Sequence, residues 1–466
     1  MTPALLALAS LLLAQKPERP EDAPRAFQTI VTGVRTPRPV VESPTTVTVI
    51  PRRELQRSPN QTVDNVLRTV PSVATFRRST SLSADPSSQG VNLRGIGPSA
   101  ISRTLVLLDG LPVNDPFGGW VYWRSLPKLS LQRLEVAPGG SSAQYGSSAL
   151  GGVIQLVSRP IEERALDAEG SFGSFWTADG AVRGAARFGG IGIALEGDAL
   201  QSQGFVPVAT NQRGAIDRPA ASRHLTGDAR LEVQTDENVT LHFRARGFDE
   251  AQNGGTALTT AQVWTNQLGL GASVNAGEFG TVNLDLFSGN QRFLQQRARI
   301  GPNRSSETLS ATQNTPSSNI GAAAVWSSPV WWAGGRHSIS AGADFVSVNG
   351  EAREFFETGA LSERRSGGIE SFGGLFVQDL YRPTNRIDIL GALRGDVWST
   401  YDGSRTTIAR QTGDGTDVAF DSKTERELSP RLAARVQLTD PVAVRASIYR
   451  AFRAPTLNEL YRPFQV

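Results

Sequence analysis

Two stretches in the first third of the 466-residue chain decide its fold: VNLRGIGPSAISRTLVLLDGLPVND (residues 91–115) and RLEVAPGGSSAQYGSSALGGVIQLVSR (residues 133–159). Each contains short β-prone runs, such as residues 104–108, separated by glycines. Glycine at a strand end or corner permits a positive φ angle or a close backbone approach. The pattern predicts short strands that are joined by tight turns.

The region around these stretches, residues 36–161, is predicted to form a small α+β domain. TTVTVI (residues 45–50) predicts a strand. Residues 60–70 predict a short helix, because their apolar side chains recur on one helical face and Pro71 ends the run. Three further strands are predicted at residues 104–108, 134–137 and 152–157.

The remaining region, residues 162–466, consists of segments of about ten residues in which apolar and polar side chains alternate. In residues 238–247 the apolar set is Val239, Leu241, Phe243 and Ala245, and the polar set is Thr240, His242, Arg244 and Arg246. Such alternation is typical of a transmembrane β-barrel wall, with apolar side chains toward lipid and polar ones toward a wet lumen. We count roughly thirteen such segments.

A soluble β-sandwich or propeller would also show alternating strands, but its turns would not alternate between short and long. The turn at residues 439–441 is short, whereas residues 249–259 and 404–424 are predicted to be long polar insertions. Short turns at one rim and long loops at the other are typical of a membrane barrel. The barrel is therefore the favoured interpretation.

Composition excludes several classes of function. The net charge of +3 gives no concentrated basic face for nucleic acid. Cysteine is absent, so the chain has neither disulfides nor thiolate metal sites. The three histidines, His224, His242 and His337, are scattered among strands and predict no metal cluster. No carboxylate pair or Ser-His-Asp set stands out, so we predict neither an enzyme nor a cofactor.

The N-terminus predicts export. Residues 1–14 (MTPALLALASLLLA) form an apolar run with a small-residue ending, which is typical of a signal peptide; a buried helix is the alternative. Residues 15–35 begin with a charged, proline-rich stretch that predicts a flexible tether. No later segment approaches the ~18 apolar residues that a membrane helix needs.

The two stretches that decide the fold closely resemble the plug domain of TonB-dependent receptors, and the resemblance covers about residues 28–159. QTIVTGVR (residues 28–35) resembles the TonB box, and FRAPTLNELY (residues 452–461) resembles a barrel-strand motif of the family. The resemblance implies an α+β plug, here called the plug region (residues 36–161), inside an antiparallel transmembrane β-barrel (residues 162–466). Because family barrels have about 22 strands and roughly thirteen are visible, we expect the chain to be truncated or a fragment.

The resemblance also implies a periplasmic partner, the TonB protein with its inner-membrane energising complex. The predicted TonB-binding residues are Thr29, Ile30, Val31, Thr32 and Gly33. A β-prone peptide on a loose tether can add as a strand to an exposed sheet edge of the partner. The alternative is that this peptide is an ordinary edge strand of the plug.

A ligand-binding site is predicted at the plug apex. Its residues are Arg77, Arg78, Phe117, Trp120, Tyr122 and Trp123. Aromatic side chains offer large contact areas, and arginines can recruit an anionic chelate. The alternative is that Trp120 and Trp123 wedge the plug against the barrel wall.

One ion pair between plug and barrel is also predicted. Family members commonly have Arg-Gly-Pro where this chain has Ala137-Pro138-Gly139, so one expected plug arginine is missing. Arg94 remains, and Glu459 is its predicted partner.

The resulting prediction is a receptor in the outer membrane of a Gram-negative-type bacterium, surrounded by outer-membrane lipid, that imports a small-molecule chelate. Ferric siderophore is the first candidate and cobalamin the second. The rivals are a passive porin-like or adhesin barrel and a secreted β-rich hydrolase. The first rival would lack a plug, and the second would need converging acid and base residues in a cleft.

Overall fold

The computed structural model describes residues 29–30, 38–77, 79–96 and 102–463. The strands of the N-terminal part are β1 (Thr29–Ile30), β2 (Arg38–Pro39), β3 (Thr48–Pro51), β4 (Val73–Thr75), β5 (Val91–Leu93), β6 (Thr104–Leu108), β7 (Leu111–Pro112), β8 (Leu131–Pro138) and β9 (Gly152–Ser158). The α-helices are α1 (Arg52–Arg57), α2 (Val63–Leu67), α3 (Ser142–Tyr145) and α4 (Leu457–Tyr461). No helix in these described ranges has the length and apolar character that a membrane crossing requires.

The second part consists almost entirely of longer strands. They are β10 (Arg164–Gly173), β11 (Thr177–Phe188), β12 (Ile191–Ser202), β13 (Ser222–Gln234), β14 (Val239–Thr256), β15 (Thr259–Asn275), β16 (Thr281–Ile300), β17 (Glu307–Ser327), β18 (Trp331–Trp332), β19 (Arg336–Phe356), β20 (Ser362–Thr384), β21 (Ile387–Ala409), β22 (Gly415–Phe420), β23 (Lys423–Thr439) and β24 (Val442–Tyr449).

The plug region is built around a five-stranded mixed sheet with the order β3-β8-β9-β6-β7. Strands β6 and β9 are parallel, and the other pairs in this sheet are antiparallel. Its apolar core combines the sheet with α1 and α2; examples are Leu55, Leu67, Val106, Leu134 and Ile154. The predicted strands occur here, and the predicted helix at residues 60–70 is shorter, as α2.

The longer strands form one antiparallel meander, here called the wall, which runs in chain order from β10 to β24. Thirteen strands lie on this path, with β18 paired to β19 and β22 paired to β21 beside it. The described part of the chain contains no pairing between the edge strands β10 and β24. The thirteen strands match the number of segments counted in the sequence.

One predicted loop is wrong. Residues 249–259 do not form a long insertion, because β14 continues to Thr256 and turns at residues 257–258 into β15. The prediction took the polar side chains of this stretch as the sign of an exposed loop. Glu250 and Gln252 are instead buried on the polar face of the wall. Residues 404–424 also contain more strand than expected, since they include the end of β21 and all of β22.

The wall buries its charges and exposes its large apolar side chains. On β14, Leu241 is 43% exposed and Phe243 is 37% exposed, whereas Arg244, directly after Phe243, is only 8% exposed. Other exposed apolar side chains are Leu166, Leu195, Leu225, Leu270, Leu286, Ile320, Leu375, Leu393, Leu432 and Ile448. Proteins that face water on the outside show the opposite arrangement. The structure therefore confirms the predicted alternation. It also confirms that the polar side chains point inward and the apolar side chains point outward.

Candidate functional site

The loop that carries Phe117, Trp120 and Tyr122, here called the aromatic loop, packs against the face of the wall that carries its buried polar side chains, here called the inner face. The Trp120 ring meets Phe293 of β16 edge-on with centroids 6.1 Å apart. The Tyr122 ring stacks on Phe248 of β14 at 6.4 Å. Phe117 is fully buried in a second cluster with Val348, Leu457 and other apolar side chains. These contacts attach the loop to three separate parts of the wall and its C-terminal extension.

This arrangement changes the prediction for the plug apex. Phe117, Trp120, Tyr122 and Trp123 are all buried and contact protein, so in this conformation none of them offers a surface to a ligand. The alternative of a wedge fits Trp120. It does not fit Trp123, which lies in the core of the plug region and donates its indole N–H to the Gln89 carbonyl at 3.1 Å.

The two predicted apex arginines also differ from expectation. Arg77 is buried, and its guanidinium pairs with the Asp64 carboxylate at 2.8 Å inside the plug region. It also donates to the Ser79 carbonyl at 2.7 Å. Arg78 lies outside the described residues. Arg77 therefore stabilises the base of its loop and does not offer its charge to a ligand.

Asp115 connects the aromatic loop to the wall. Its carboxylate accepts hydrogen bonds from the Tyr122 hydroxyl at 2.7 Å, from the Gly118 N–H at 2.6 Å and from the Gln291 amide of β16. Burial raises the pKa of Asp115, although the hydrogen bonds from Tyr122, Gly118 and Gln291 act in the opposite direction. The carboxylate is thus enclosed by partners from both sides of the interface.

A second polar contact joins the turn after β6 of the plug region to the wall. Arg244 of β14 pairs with Asp109 at 2.6 Å and with Asp228 of β13 at 2.6 Å. Burial alone would raise the pKa of Asp109, but Arg244 and hydrogen bonds from Ser158 hold it below its usual range. Arg244 therefore forms ion pairs with both the plug region and the wall.

Further polar contacts of this kind were not predicted. Arg124 of the plug region pairs with Glu250 of β14 at 3.2 Å. Gln295 of β16 donates to the Asp85 carboxylate at 2.7 Å. The alternation in the sequence indicates which polar residues of each strand point inward. It does not indicate which plug residue each of them contacts, because that depends on how the plug region lies against the wall.

Gly146 lies close against charged side chains of the wall. Arg394 of β21 pairs with Asp344 at 2.6 Å and with Asp396 at 2.7 Å beside it. Gly146 has a φ of 73°, and a Cβ there would lie 3.0 Å from the Arg394 guanidinium. The backbone conformation therefore favours glycine, and the space beside Arg394 leaves a Cβ little room.

The predicted pair of Arg94 and Glu459 is wrong in this structure. Glu459 pairs with Arg453 at 2.5 Å and also accepts the Thr456 backbone N–H as part of the capping box of α4. Arg94 is exposed, with its guanidinium near Gly139. Glu459 takes the local partner because the helix start places it beside Arg453. The segment still reaches the plug region, because Arg453 donates to the Ser102 carbonyl at 3.1 Å.

Part of the predicted TonB-binding peptide is already a strand. Thr29 and Ile30 pair antiparallel with Pro39 and Arg38 in a separate two-stranded sheet. They are therefore not an edge strand of the five-stranded plug sheet. Val31, Thr32 and Gly33 lie outside the described residues, as does the predicted signal peptide.

The chain is fixed to the wall directly after this hairpin. A 3-10 helix at Val40–Glu42 follows β2, and the Glu42 carboxylate pairs with Arg382 of β20 at 2.7 Å. Arg445 of β24 donates to the Ser43 carbonyl at 2.9 Å. Two strands of the wall thus hold the start of the plug region.

Comparison with protein families gives two matches that together cover most of the chain. Residues 39–153 match the TonB-dependent Receptor Plug Domain. Residues 188–465 match the β-barrel of TonB dependent receptor-like proteins. The second match alone covers more than half of the chain.

Individual relatives agree with these matches. The chain is 22% identical to the Vitamin B12 transporter BtuB of Vibrio vulnificus (strain CMCP6) over 469 aligned positions, which cover 98% of this chain and 68% of that protein. It is 32% identical to the Ferrienterobactin receptor of Escherichia coli (strain K12) over 124 residues, covering 24% of this chain and 16% of that protein.

A solved structure shows the same fold. The ferric citrate transporter FecA in its unliganded form superposes with a TM-score of 0.69 at 17% identity, over 89% of this chain and 64% of that chain. At this identity the likeness concerns the fold alone, and this chain spans less than two thirds of the solved one. The two family matches show that the chain belongs to the TonB-dependent receptor family.

Proposed function

We propose that this protein is an outer-membrane receptor that imports a scarce small-molecule chelate with energy from the TonB complex. The observation that carries the proposal is the seating of the plug region on the polar face of a wall whose other face is apolar. A lumen closed by a plug excludes free diffusion, so passage of a ligand requires energy to move the plug. The same seating disfavours a passive porin-like or adhesin barrel.

The apolar face of the wall supports a position in lipid. Its exposed leucines occur on successive strands, for example Leu241 on β14, Leu270 on β15 and Leu286 on β16. Water would make such a surface costly, at roughly 25 cal/mol for each Å² of apolar area, whereas hydrocarbon does not. The proposed lipid is that of the outer membrane of a Gram-negative-type bacterium.

The proposed site of energy coupling is the peptide Thr29–Ile30 and the three residues that follow it. A peptide of this kind can bind by adding a strand to a sheet edge of the TonB protein, where backbone hydrogen bonds supply the affinity. Because Thr29 and Ile30 are paired within their own hairpin, the partner has to replace Arg38 and Pro39 or add to the other edge.

The proposed ligand is a ferric siderophore, with cobalamin as the second candidate. Both kinds of cargo appear in the names of the relatives, one a vitamin B12 transporter and the other a ferrienterobactin receptor. Contact between the ligand and the aromatic loop would require Phe117 or Trp120 to leave the wall. That role of the loop stays a prediction.

The coupling proposal is tested by capture of the full chain, in detergent micelles, on immobilised periplasmic domain of the TonB protein. Ile30→Pro removes a backbone N–H and should abolish capture, because proline cannot donate to a strand ladder. Asp22→Pro, in the proline-rich tether, is the matched control and should be captured like the wild type. Equal capture of both variants would refute this placement of the coupling peptide.

Membrane residence has a separate test. After expression in a Gram-negative host, the chain should sediment with the outer-membrane fraction and dissolve only with detergent. Recovery in the aqueous periplasmic fraction would contradict the proposal and would favour the secreted hydrolase.

A further inference from the structure

A cavity of about 270 Å³ lies between the plug region and the inner face of strands β10 to β13. On the plug side it is lined by the segment between α1 and α2, which includes Thr62, and by the segment after the aromatic loop, which includes Lys128. On the wall side it is lined by Glu169, Asp179 and Asp198. We call this space the acidic cavity.

The register of the wall brings the three carboxylates of the acidic cavity close together. Glu169 of β10 and Asp198 of β12 both pair with Ala181 of β11. Asp179 lies two residues before Ala181 on β11, so its side chain points to the same face. Diagonal neighbours on adjacent strands are about 7–8 Å apart. Asp179 therefore lies within this distance of both other carboxylates.

The wall supplies few partners for these carboxylates. Glu169 and Asp179 make no hydrogen bond or ion pair within the part of the chain that the structure describes. The Oδ1 atom of Asp198 lies 2.6 Å from Nε2 of His224, which also lines the cavity. Glu169 and Asp179 are therefore open to an incoming cation.

The plug side of the cavity carries less positive charge than the wall side carries negative charge. Lys128 lines the cavity and donates to the Asn60 carbonyl at 3.0 Å. Arg124 also lines it, but this guanidinium pairs with the Glu250 carboxylate at 3.2 Å. When His224 is charged as well, the three carboxylates of the described lining still face only two cations that are not neutralised elsewhere. The acidic cavity therefore keeps an excess of negative charge.

A buried hydroxyl on the plug side also lacks a partner. Thr62 is 7% exposed, and its Oγ1 atom is buried with no hydrogen-bond partner among the described residues. Thr62 precedes α2 at the N-cap position, but its side chain makes no capping hydrogen bond. A buried polar group without a hydrogen bond is unfavourable. Thr62 therefore offers an acceptor to a donor that enters the cavity.

The rest of the lining favours an organic cation over a metal ion. Within the described ranges, no three His, Asp or Glu side chains are arranged to hold a metal ion. Leu126, Leu129 and Leu200 line the cavity between its polar groups. The volume of about 270 Å³ lies just below the ~300–1,000 Å³ of pockets for drug-sized ligands. These features suit a small molecule in which methylene chains link several ammonium groups.

We propose that the acidic cavity binds an aliphatic polyamine, with ammonium groups at Glu169 and Asp179 and methylene groups against the leucines. An alkylammonium group has three N–H donors, so one group can donate to Asp179 and to the Thr62 hydroxyl together. The ligand then contacts the plug region and the wall at once. This site goes beyond the import of a chelate and requires only that the plug region is seated against the wall.

The experiment measures binding of spermidine to the full chain by equilibrium dialysis in micelles of an uncharged detergent. We expect the affinity to fall as salt is raised, since the attraction is partly screened. Bound spermidine should also raise the urea concentration at which trypsin cleaves the plug region, because a ligand of the seated state stabilises that state. Absence of binding, or binding without this rise, would overturn the inference.

Two comparison ligands identify the chemistry of the site. Fully acetylated spermidine keeps the methylene chains and has no ammonium group, so it should not bind. Calcium chloride at the same ionic strength should not displace spermidine, because the carboxylates are not arranged around a metal ion. Displacement by calcium would indicate a metal site, and binding of the acetylated compound would indicate an apolar one; either result would contradict the proposal.

Replacement of one carboxylate tests its location. Asp179→Asn should weaken spermidine binding about tenfold, which is the loss of one charge-assisted hydrogen bond. Asp417→Asn, the same substitution at an exposed position of β22, is the matched control and should bind like the wild type. Equal affinities of the two variants would show general adsorption to a negative surface and would rule out the acidic cavity.

Thr62→Val separates binding from structure. It removes the hydroxyl but keeps the shape of the side chain, so spermidine binding should weaken several fold. Without ligand, the urea midpoint for cleavage should not fall, because this hydroxyl has no partner in the described residues. Unchanged affinity, or a lower midpoint without ligand, would refute the role given to Thr62 and with it the proposal.

Lys128→Gln should act in the opposite direction. It removes a cation of the plug region that competes for the same carboxylates, so spermidine binding should tighten several fold. Weaker binding would be incompatible with the proposal. Capture on the TonB protein does not involve these residues, so a failure here leaves the receptor function standing and a failure there is seen separately.

Discussion

Trp120 wedges the plug region against the wall, and the burial of its side chain sets the free energy that Trp120→Ala should remove. The side chain is 8% exposed and sits among Phe293, Val263 and Ala261. Trp120→Ala removes an aromatic side chain that buries about 150–250 Å². At about 25 cal/mol per Å² this corresponds to about 4–6 kcal/mol, an upper bound because a released loop still covers part of its own surface.

Truncations of buried Phe and Trp cost about 3–5 kcal/mol, so we expect about 3 kcal/mol or more for Trp120→Ala. Trp120→Phe should cost much less. It keeps a ring against Phe293 and removes an indole N–H that is buried without a hydrogen-bond partner in the described residues. The two substitutions at one position therefore separate packing from polarity.

The assay is trypsin cleavage of the plug region as a function of urea, with the full chain in detergent micelles. With a slope of about 1–3 kcal/mol per M, Trp120→Ala should lower the midpoint of cleavage by about 1–3 M. Trp176→Ala is the matched control, because Trp176 is 68% exposed. If Trp120→Ala and Trp176→Ala share one midpoint, or if Trp120→Phe is as harmful as Trp120→Ala, the wedge interpretation is refuted.

Three further predictions concern the interface and the wall. Gly146→Ala should destabilise the seated plug by about 1–3 kcal/mol in the same assay, because its backbone conformation is nearly confined to glycine; Gly173→Ala, with open space around it, should have little effect. Because the pKa of Asp109 is lowered in the folded protein, its pairing with Arg244 stabilises the fold at pH values above the ordinary carboxyl pKa of 3.8. This stabilisation is lost as the pH falls through the lower pKa of the folded state. Asp109→Asn should therefore flatten the acid side of a plot of the urea midpoint against pH. Leu270→Arg, on the exposed apolar face, should reduce the stability of the chain folded into lipid vesicles by about 2–4 kcal/mol, measured by urea titration.

The arrangement of the wall was predictable because strand periodicity is a local property. Leu241 and Phe243 face outward and Arg244 inward because successive side chains of any strand point to opposite faces. The same periodicity failed at residues 249–259, where polarity was taken to mean a loop. In a wall with a polar interior, Glu250 and Gln252 satisfy the inward positions of an ordinary strand.

The contacts between plug and wall were not predictable in the same way. Trp123 and Trp120 are three residues apart, yet one lies in the plug core and the other against Phe293. Which direction each takes depends on the path of an irregular loop, and no periodicity governs it. For Glu459, a local partner in Arg453 outcompeted a distant one, because its position in the first turn of α4 is set by neighbours in the chain.

The contacts of Glu42 and Ser43 with the wall determine which interactions a pulling force on the N-terminal peptide would load first. They follow the hairpin directly along the chain, so a force on residues 29–33 loads Arg382 and Arg445 before it reaches the apolar core of the five-stranded sheet. Bonds that are strained one after another yield at lower force than bonds strained together. The first mechanical event would therefore be the peeling of a short peptide from β20 and β24, while the folded body beyond it is still intact.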